Sequence, residues 1–129
     1  MKDFLIELTH SPGGLAEITN ALSFAGVNIK SLAAMSFGGQ ALLRLIPDDA
    51  DAARSAFRDK HIRFEEHEVT TVLLENKAGA LTGVAARLAE AGLNLEAIYV
   101  VGLADDLIEL AIAADNIKKA KKVLADIVS

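Results

Sequence analysis

The chain has 129 residues, of which 52% are hydrophobic and 24% charged, a composition that suits a compact core and excludes a disordered tail. With 13 basic against 18 acidic residues its formal net charge is -5, so no broad positive field exists to hold phosphates, and nucleic acid is not an expected partner. Cysteine is absent, which removes disulfides, thiol catalysis and thiolate metal sites and fits a cytoplasmic protein.

The opening MKDFLIELTH has too short an apolar run for a signal peptide, and Asp3 and Glu7 interrupt it. No stretch approaches the roughly 18 apolar residues that a membrane helix needs, so no membrane partner is expected. Within that opening Phe4, Ile6 and Leu8 alternate with period two, which predicts a half-buried strand. Pro12 and Gly13 break it. Leu15, Ile18, Leu22 and Ala25 then recur at three and four, the face of a helix, and Gly26 stands where a left-handed C-cap would end it. Two strand-like runs follow, NIKSLAAMS and QALLRLI, joined by Gly38 and Gly39. A second helix starts near the possible cap Asp49 and carries Ala53 and Phe57 at i and i+4, and HIRFEEHEV supplies a last strand. The order strand, helix, strand, strand, helix, strand predicts a ferredoxin-like unit, with two helices on one face of a four-stranded antiparallel sheet.

The chain then repeats itself. AGVNI at 25 to 29 returns as AGLNL at 91 to 95, 66 residues on, and Ile6, Leu8, Leu15, Ile18, Leu22 and Ala25 face Val72, Leu74, Leu81, Val84, Leu88 and Ala91. NLEAIYVVG and LIELAIAA, joined at Asp105 and Asp106, repeat the strand pair. The last helix begins near Asp115 with Ala120 and Leu124 at i and i+4. There the offset is 67, so the second copy has gained one residue. The expected fold is α+β, two ferredoxin-like βαββαβ units in tandem at 1–68 and 69–129, the second lacking its last strand. The backbone of the second unit's first strand then lies at an edge that something must cover. No Gly or Pro separates Phe64 from Leu74, so a tight pair of units is expected rather than beads on a linker.

At the strand-to-helix turns THSPGGL and ENKAGAL, and at the loops GVNI and GLNL, the chain resembles the small amino-acid-binding regulatory module called the ACT domain. The resemblance spans nearly the whole sequence, with the last strand as its departure. It implies a stand-alone regulatory protein that binds a small amino acid, as a homodimer or beside a biosynthetic enzyme, with no cofactor, no metal and no catalysis. The family's effector lies against the first turn and the loop before the second strand, usually between modules. Carried over by position, the ligand-binding residues are His10, Ser11, Pro12, Gly13, Gly14 and Leu15 with Asn28 and Ile29, and Asn76, Lys77, Gly79, Ala80 and Leu81 with Asn94 and Leu95. Thr9, Glu75 and Ala78 complete the two turns, Ala78 standing where the family prefers proline.

The physical reason for these residue types is direct. A helix N-terminus offers unpaired N–H groups to a carboxylate, glycine admits a ligand to the backbone, and an asparagine amide both donates and accepts. Each also has a structural explanation, Gly13 and Gly79 as turn residues, Asn28 and Asn94 as holders of a left-handed or Asx turn. The second copy also resembles the regulatory subunits of branched-chain amino-acid synthesis enzymes. A small enzyme is the third class, because fold does not fix function. No nucleophile with its base, phosphate loop or metal spacing among His10, His61 and His67 supports it. RFEEHE and KKAKK read as solvated faces. In ALLRLI, Leu42 and Ile46 oppose Leu43 and Leu45, and Phe24 lies off the helical stripe, so a sheet face or helix edge is expected to meet another subunit.

Overall fold

The computed structural model describes residues 1–8 and 11–129, which divide into two compact units, Lys2–His67 and Glu68–Ser129 with Met1. The first contains β1 (Lys2–Leu8), α1 (Gly14–Phe24), β2 (Ile29–Phe37), β3 (Gln40–Pro47), α2 (Ala50–Asp59) and all but the last residue of β4 (Glu65–Glu68). The second contains β5 (Thr70–Glu75), α3 (Ala80–Glu90), β6 (Leu95–Ala104), β7 (Leu107–Ala114) and α4 (Ile117–Val123). The sheets run β2-β3-β1-β4 and β5-β7-β6, so the expected ferredoxin-like order is present and the second sheet has three strands.

In the first unit β1 and β3 pair antiparallel with Phe4 opposite Leu45 and Ile6 opposite Leu43, which points those four side chains into one core. Ile18 and Leu22 of α1 and Ala53 and Phe57 of α2 close over them. Phe57 meets Phe4 edge-on with ring centroids 5.6 Å apart, and Phe64 lies 5.4 and 5.7 Å from the two. In the second unit Val72, Val84, Leu88, Leu110, Ile112, Ala120 and Leu124 form the equivalent core without an aromatic ring.

The buried face of α1 is narrower than its periodicity suggests. Ile18, Ala21 and Leu22 are buried, whereas Leu15 and Ala25 are exposed, as is Leu81 in α3. Those positions sit in the first turn or past the last, beyond the edge of the sheet they would cover. Both helices end in the same cap. Val27 donates its N–H to the Leu22 carbonyl and Gly26 to Ser23, and Leu93 donates to Leu88 and Gly92 to Ala89. Gly26 and Gly92 have φ near 73° and 72°, the left-handed conformation that this Schellman arrangement requires and glycine adopts without cost.

Three other expectations need correction. Asp49 caps α2, accepting from the Ala52 N–H at 3.0 Å, but the cap of α4 is Asn116, which accepts from Lys119 at 3.1 Å. Asp115 is used elsewhere. The strand HIRFEEHEV pairs only from Glu65. Before it, His61 takes the left-handed position (φ 56°) of a third Schellman cap, with Ile62 N–H on the Phe57 carbonyl, so Ile62 and Phe64 pack on the core from outside the strand. RFEEHE and KKAKK are also less bare than solvated faces. Arg54 forks onto Glu66, and Lys121 pairs with Glu68 at 2.6 Å.

The edge of β5 is covered by the last residues. Leu73 N–H donates to the Ile127 carbonyl and Ser129 N–H to the Thr71 carbonyl, both at 2.9 Å, in antiparallel register around Val72 and Val128. The Ser129 hydroxyl adds bonds to Thr71 Oγ1 and Glu109.

Candidate functional site

In each unit the register fixes where the strand-to-helix turn can lie. Leu8 stands opposite Ala41, and Glu75 opposite Leu107, so the tip of the β2–β3 or β6–β7 hairpin lies beside the turn that follows β1 or β5. In the first unit Ser11, Pro12, Gly13, Gly14 and Leu15 line an open hollow of about 480 Å³ with Leu8, Ala16 and Ala41. His10 and Thr9 lie outside the described residues. Gly13 is the N-cap of α1 with φ 96°, and among the described residues no side chain caps this helix, although its first N–H, that of Gly14, donates to the Ser11 carbonyl at 3.3 Å.

The second unit's hollow, about 640 Å³, is lined by Glu75, Asn76 and Lys77 with Asp105, Asp106 and Leu107. Asn76 N–H donates to the Asp106 carbonyl at 2.6 Å, tying turn to hairpin. Lys77 Nζ reaches Glu75 at 2.6 Å. That ammonium holds the Glu75 carboxyl below the usual carboxylate range, while Glu75 raises Lys77. Gly79, the left-handed N-cap of α3 (φ 88°), does not line this hollow, nor do Ala80 and Leu81. Copy one therefore offers a mainly apolar hollow, copy two a charged one.

The asparagines are elsewhere. β2 runs nine residues from the Asn28 loop to the hairpin tip, roughly 30 Å of strand, so Asn28 and the Ser11–Leu15 turn lie at opposite ends of one sheet. Asn94 is related in the same way to Asn76 and Lys77. Any ligand touching both sets would need them from different units or different chains.

Asn28 and Asn94 are instead clamped to an aspartate after the third strand. Asp48 N–H donates to the Asn28 carbonyl at 2.9 Å and its carboxylate accepts from Asn28 N–H at 3.1 Å. Asp115 repeats both bonds with Asn94, at 3.1 and 3.2 Å, and also accepts from the Asn94 side-chain amide at 3.2 Å. Neither asparagine has positive φ, that conformation having passed to Gly26 and Gly92. Ile29 packs against the first core, while Leu95 is exposed.

Sequence reasoning missed the hairpin side of both hollows, Ala41 and Asp105 to Leu107. Their signal was the strand register, which a two-residue turn fixes. Among the described residues no group of three or more His, Asp or Glu side chains gathers to hold a metal. Among the described residues no helix is long and apolar enough to cross a membrane.

No family model matches the sequence, and no curated protein matches it. Solved structures do. Protein BT0572 from Bacteroides thetaiotaomicron is 26% identical with a TM-score of 0.88, over 99% of this chain and 90% of that one. The ligand-free regulatory subunit of aspartate kinase from Thermus thermophilus is 18% identical with a TM-score of 0.62, over 97% and 90%. The aspartate kinase of Clostridium acetobutylicum, described as an allosteric enzyme, is 18% identical with a TM-score of 0.61, over 97% of this chain and 32% of that one. The chain thus shares the fold of aspartate kinase regulatory subunits, the fold expected from its sequence.

Proposed function

We propose that this chain is a regulatory module of the ACT type, built as two such units, that binds a small amino acid and reports it through a subunit or partner contact. The observation that carries the reading is an open hollow in each unit between the turn after the first strand and the hairpin tip, lined in the first unit by the start of α1 and in the second by the turn and hairpin alone. Uncapped N–H groups suit an α-carboxylate. In this reading the chain is not an enzyme and works in the cytoplasm. Met35, Phe37 and Leu42, exposed on the face of the first sheet away from its helices, are the surface for a second copy.

A thermal-unfolding screen against the twenty amino acids tests it. A ligand at 100 times its Kd adds about 2.7 kcal/mol, a shift of several degrees at this size. Ala41→Arg, which fills the first hollow, and Lys77→Ala in the second are expected to remove the shift singly or together. A shift that survives the double variant, or no shift at millimolar concentrations, rejects the reading.

The likeness to the regulatory subunit of aspartate kinase favours a second reading, a non-catalytic subunit of an amino-acid biosynthetic enzyme. Copurification with a larger enzyme supports that version, and a self-sufficient ligand-binding dimer counts against it.

A further inference from the structure

On the helix side of the first unit, Glu17, Asn20, Ala21 and Phe24 of α1 and Lys60 at the end of α2 line an open groove of about 340 Å³. Ala21 is buried, but Phe24 is 91% exposed, so its ring gains almost nothing from the core of its own unit. The Lys60 ammonium lies 5.8 Å from the ring centroid, near the outer limit of a cation–π contact. Glu17 and Asp59 are exposed, and among the described residues neither makes an ion pair.

The second unit shows the equivalent groove filled. At the offset of 66 Ala21 corresponds to Arg87, and at 67 Ala56 and Asp59 correspond to Val123 and Asp126. Arg87 reaches from α3 to the end of α4, where its guanidinium pairs with Asp126 and donates to the Val123 carbonyl at 2.6 Å. Gly83 and Glu90 stand in the places of Glu17 and Phe24. The first unit therefore keeps the aspartate, lacks the guanidinium, and adds a second carboxylate and an aromatic wall. Its groove is set for a cation that its own helix does not supply.

We propose that this groove is a docking site for an arginine side chain presented by a partner protein. The guanidinium lies flat on the Phe24 ring in place of the Lys60 ammonium, and its N–H groups donate to the carboxylates of Glu17 and Asp59. Arginine suits the site better than lysine, because a planar guanidinium stacks on a ring while still donating at its edge. The groove shares no residue with the turn hollows, so the proposal stands or falls independently of the amino-acid reading.

The test is an NMR titration of the whole protein, followed at its amide signals, with acetyl-Ala-Arg-Ala-amide and with the same capped peptide carrying lysine or citrulline. None of the three has the free ammonium and carboxylate of an amino acid. The arginine peptide is expected to move the Asn20 side-chain amide and the Phe24 backbone amide and to leave those of Ala86 and Glu90 in place. The lysine and citrulline peptides should bind at least about threefold more weakly. Phe24→Ala, at an exposed position, should remove most of the response, as should Ala21→Arg, which supplies the guanidinium from within as Arg87 does. Lys60→Ala should strengthen it by freeing the ring. Unmoved Asn20 and Phe24 signals at millimolar arginine peptide, equal responses to the three peptides, or an unaltered response in Phe24→Ala overturn the proposal. Asn20 and Phe24 signals that shift with protein concentration alone and ignore the peptides overturn it in favour of a second copy of this chain.

Discussion

The two units share their backbone devices and differ in almost everything those devices carry. The Schellman caps at Gly26 and Gly92 match bond for bond, and the bulge between Ile29 and Ser31 in β2 reappears 66 residues on, between Leu95 and Ala97 in β6. The residue gained by the second copy is absorbed in a second bulge, between Val100 and Gly102, after which every pairing runs at offset 67. Cores and surfaces diverge. Three rings fill the first core and aliphatic side chains the second, and the exposed Met35, Phe37 and Leu42 have Gly102, Ala104 and Glu109 as counterparts. Positions that set the path of the chain are therefore tightly constrained, while those that set what each face meets are free to differ.

The sharpest break in that comparison lies in the cores. Phe57→Ala removes a fully buried ring and its contacts with Phe4 and Phe64, and should cost about 3–5 kcal/mol. Leu124→Ala, at the C-cap of α4 and fully buried but with no ring to lose, should cost about 2–3 kcal/mol. Urea unfolding followed by circular dichroism gives both values, and hydrogen exchange shows which unit opens. Equal losses would mean that the aromatic cluster adds nothing to the stability of the first unit.

A smaller effect separates the two loop clamps. Asp115→Ala removes a backbone bond and a side-chain bond to Asn94, Asp48→Ala a backbone bond to Asn28, so about 1–2 against about 1 kcal/mol is expected. The double variant Asn94→Ala with Asp115→Ala should cost less than the sum of the singles by roughly 0.5–1 kcal/mol. If the two substitutions add without coupling, the clamp contributes nothing as a pair. The result also bears on ligand work, because an Asn94→Ala protein that no longer responds to an amino acid has lost a structural tie, not necessarily a ligand contact.

This clamp shows where sequence reasoning stopped. Element order, both helix-ending glycines, both hairpin turns and the exposed Phe24 followed from periodicity and turn chemistry, which are local. Leu15 and Ala25 were misplaced because a helix stripe says which face is apolar but not where the sheet beneath it ends. Asp115 looked like the cap of the helix it precedes and Asp48 carried no signal at all, since their partners Asn94 and Asn28 lie some 20 residues back and meet them only through strand register. The same register separates the asparagines from the turns, a distance that motif matching does not measure.

Acid should expose the last and smallest difference. Each unit ties a helix to its final segment through an arginine, Arg54 to Glu66 and Arg87 to Asp126. Hydrogen bonding by Arg54 lowers the Glu66 pKa from 4.5, and Arg87 likewise lowers Asp126 from 3.8. A carboxyl whose pKa is lower folded than unfolded contributes stability that is fully present above its unfolded value and is lost as pH falls through the folded one. The Glu66 contribution thus starts to fade below pH 4.5, and that of Asp126 only below 3.8. The Glu66 side chain is 21% exposed and that of Asp126 66%, so solvent screens the second pair more. In a series of melting temperatures against pH, Glu66→Gln should flatten the acid limb visibly and Asp126→Asn barely. The opposite ranking would mean that exposure does not govern these two pairs, and that the tie in the second unit is the stronger.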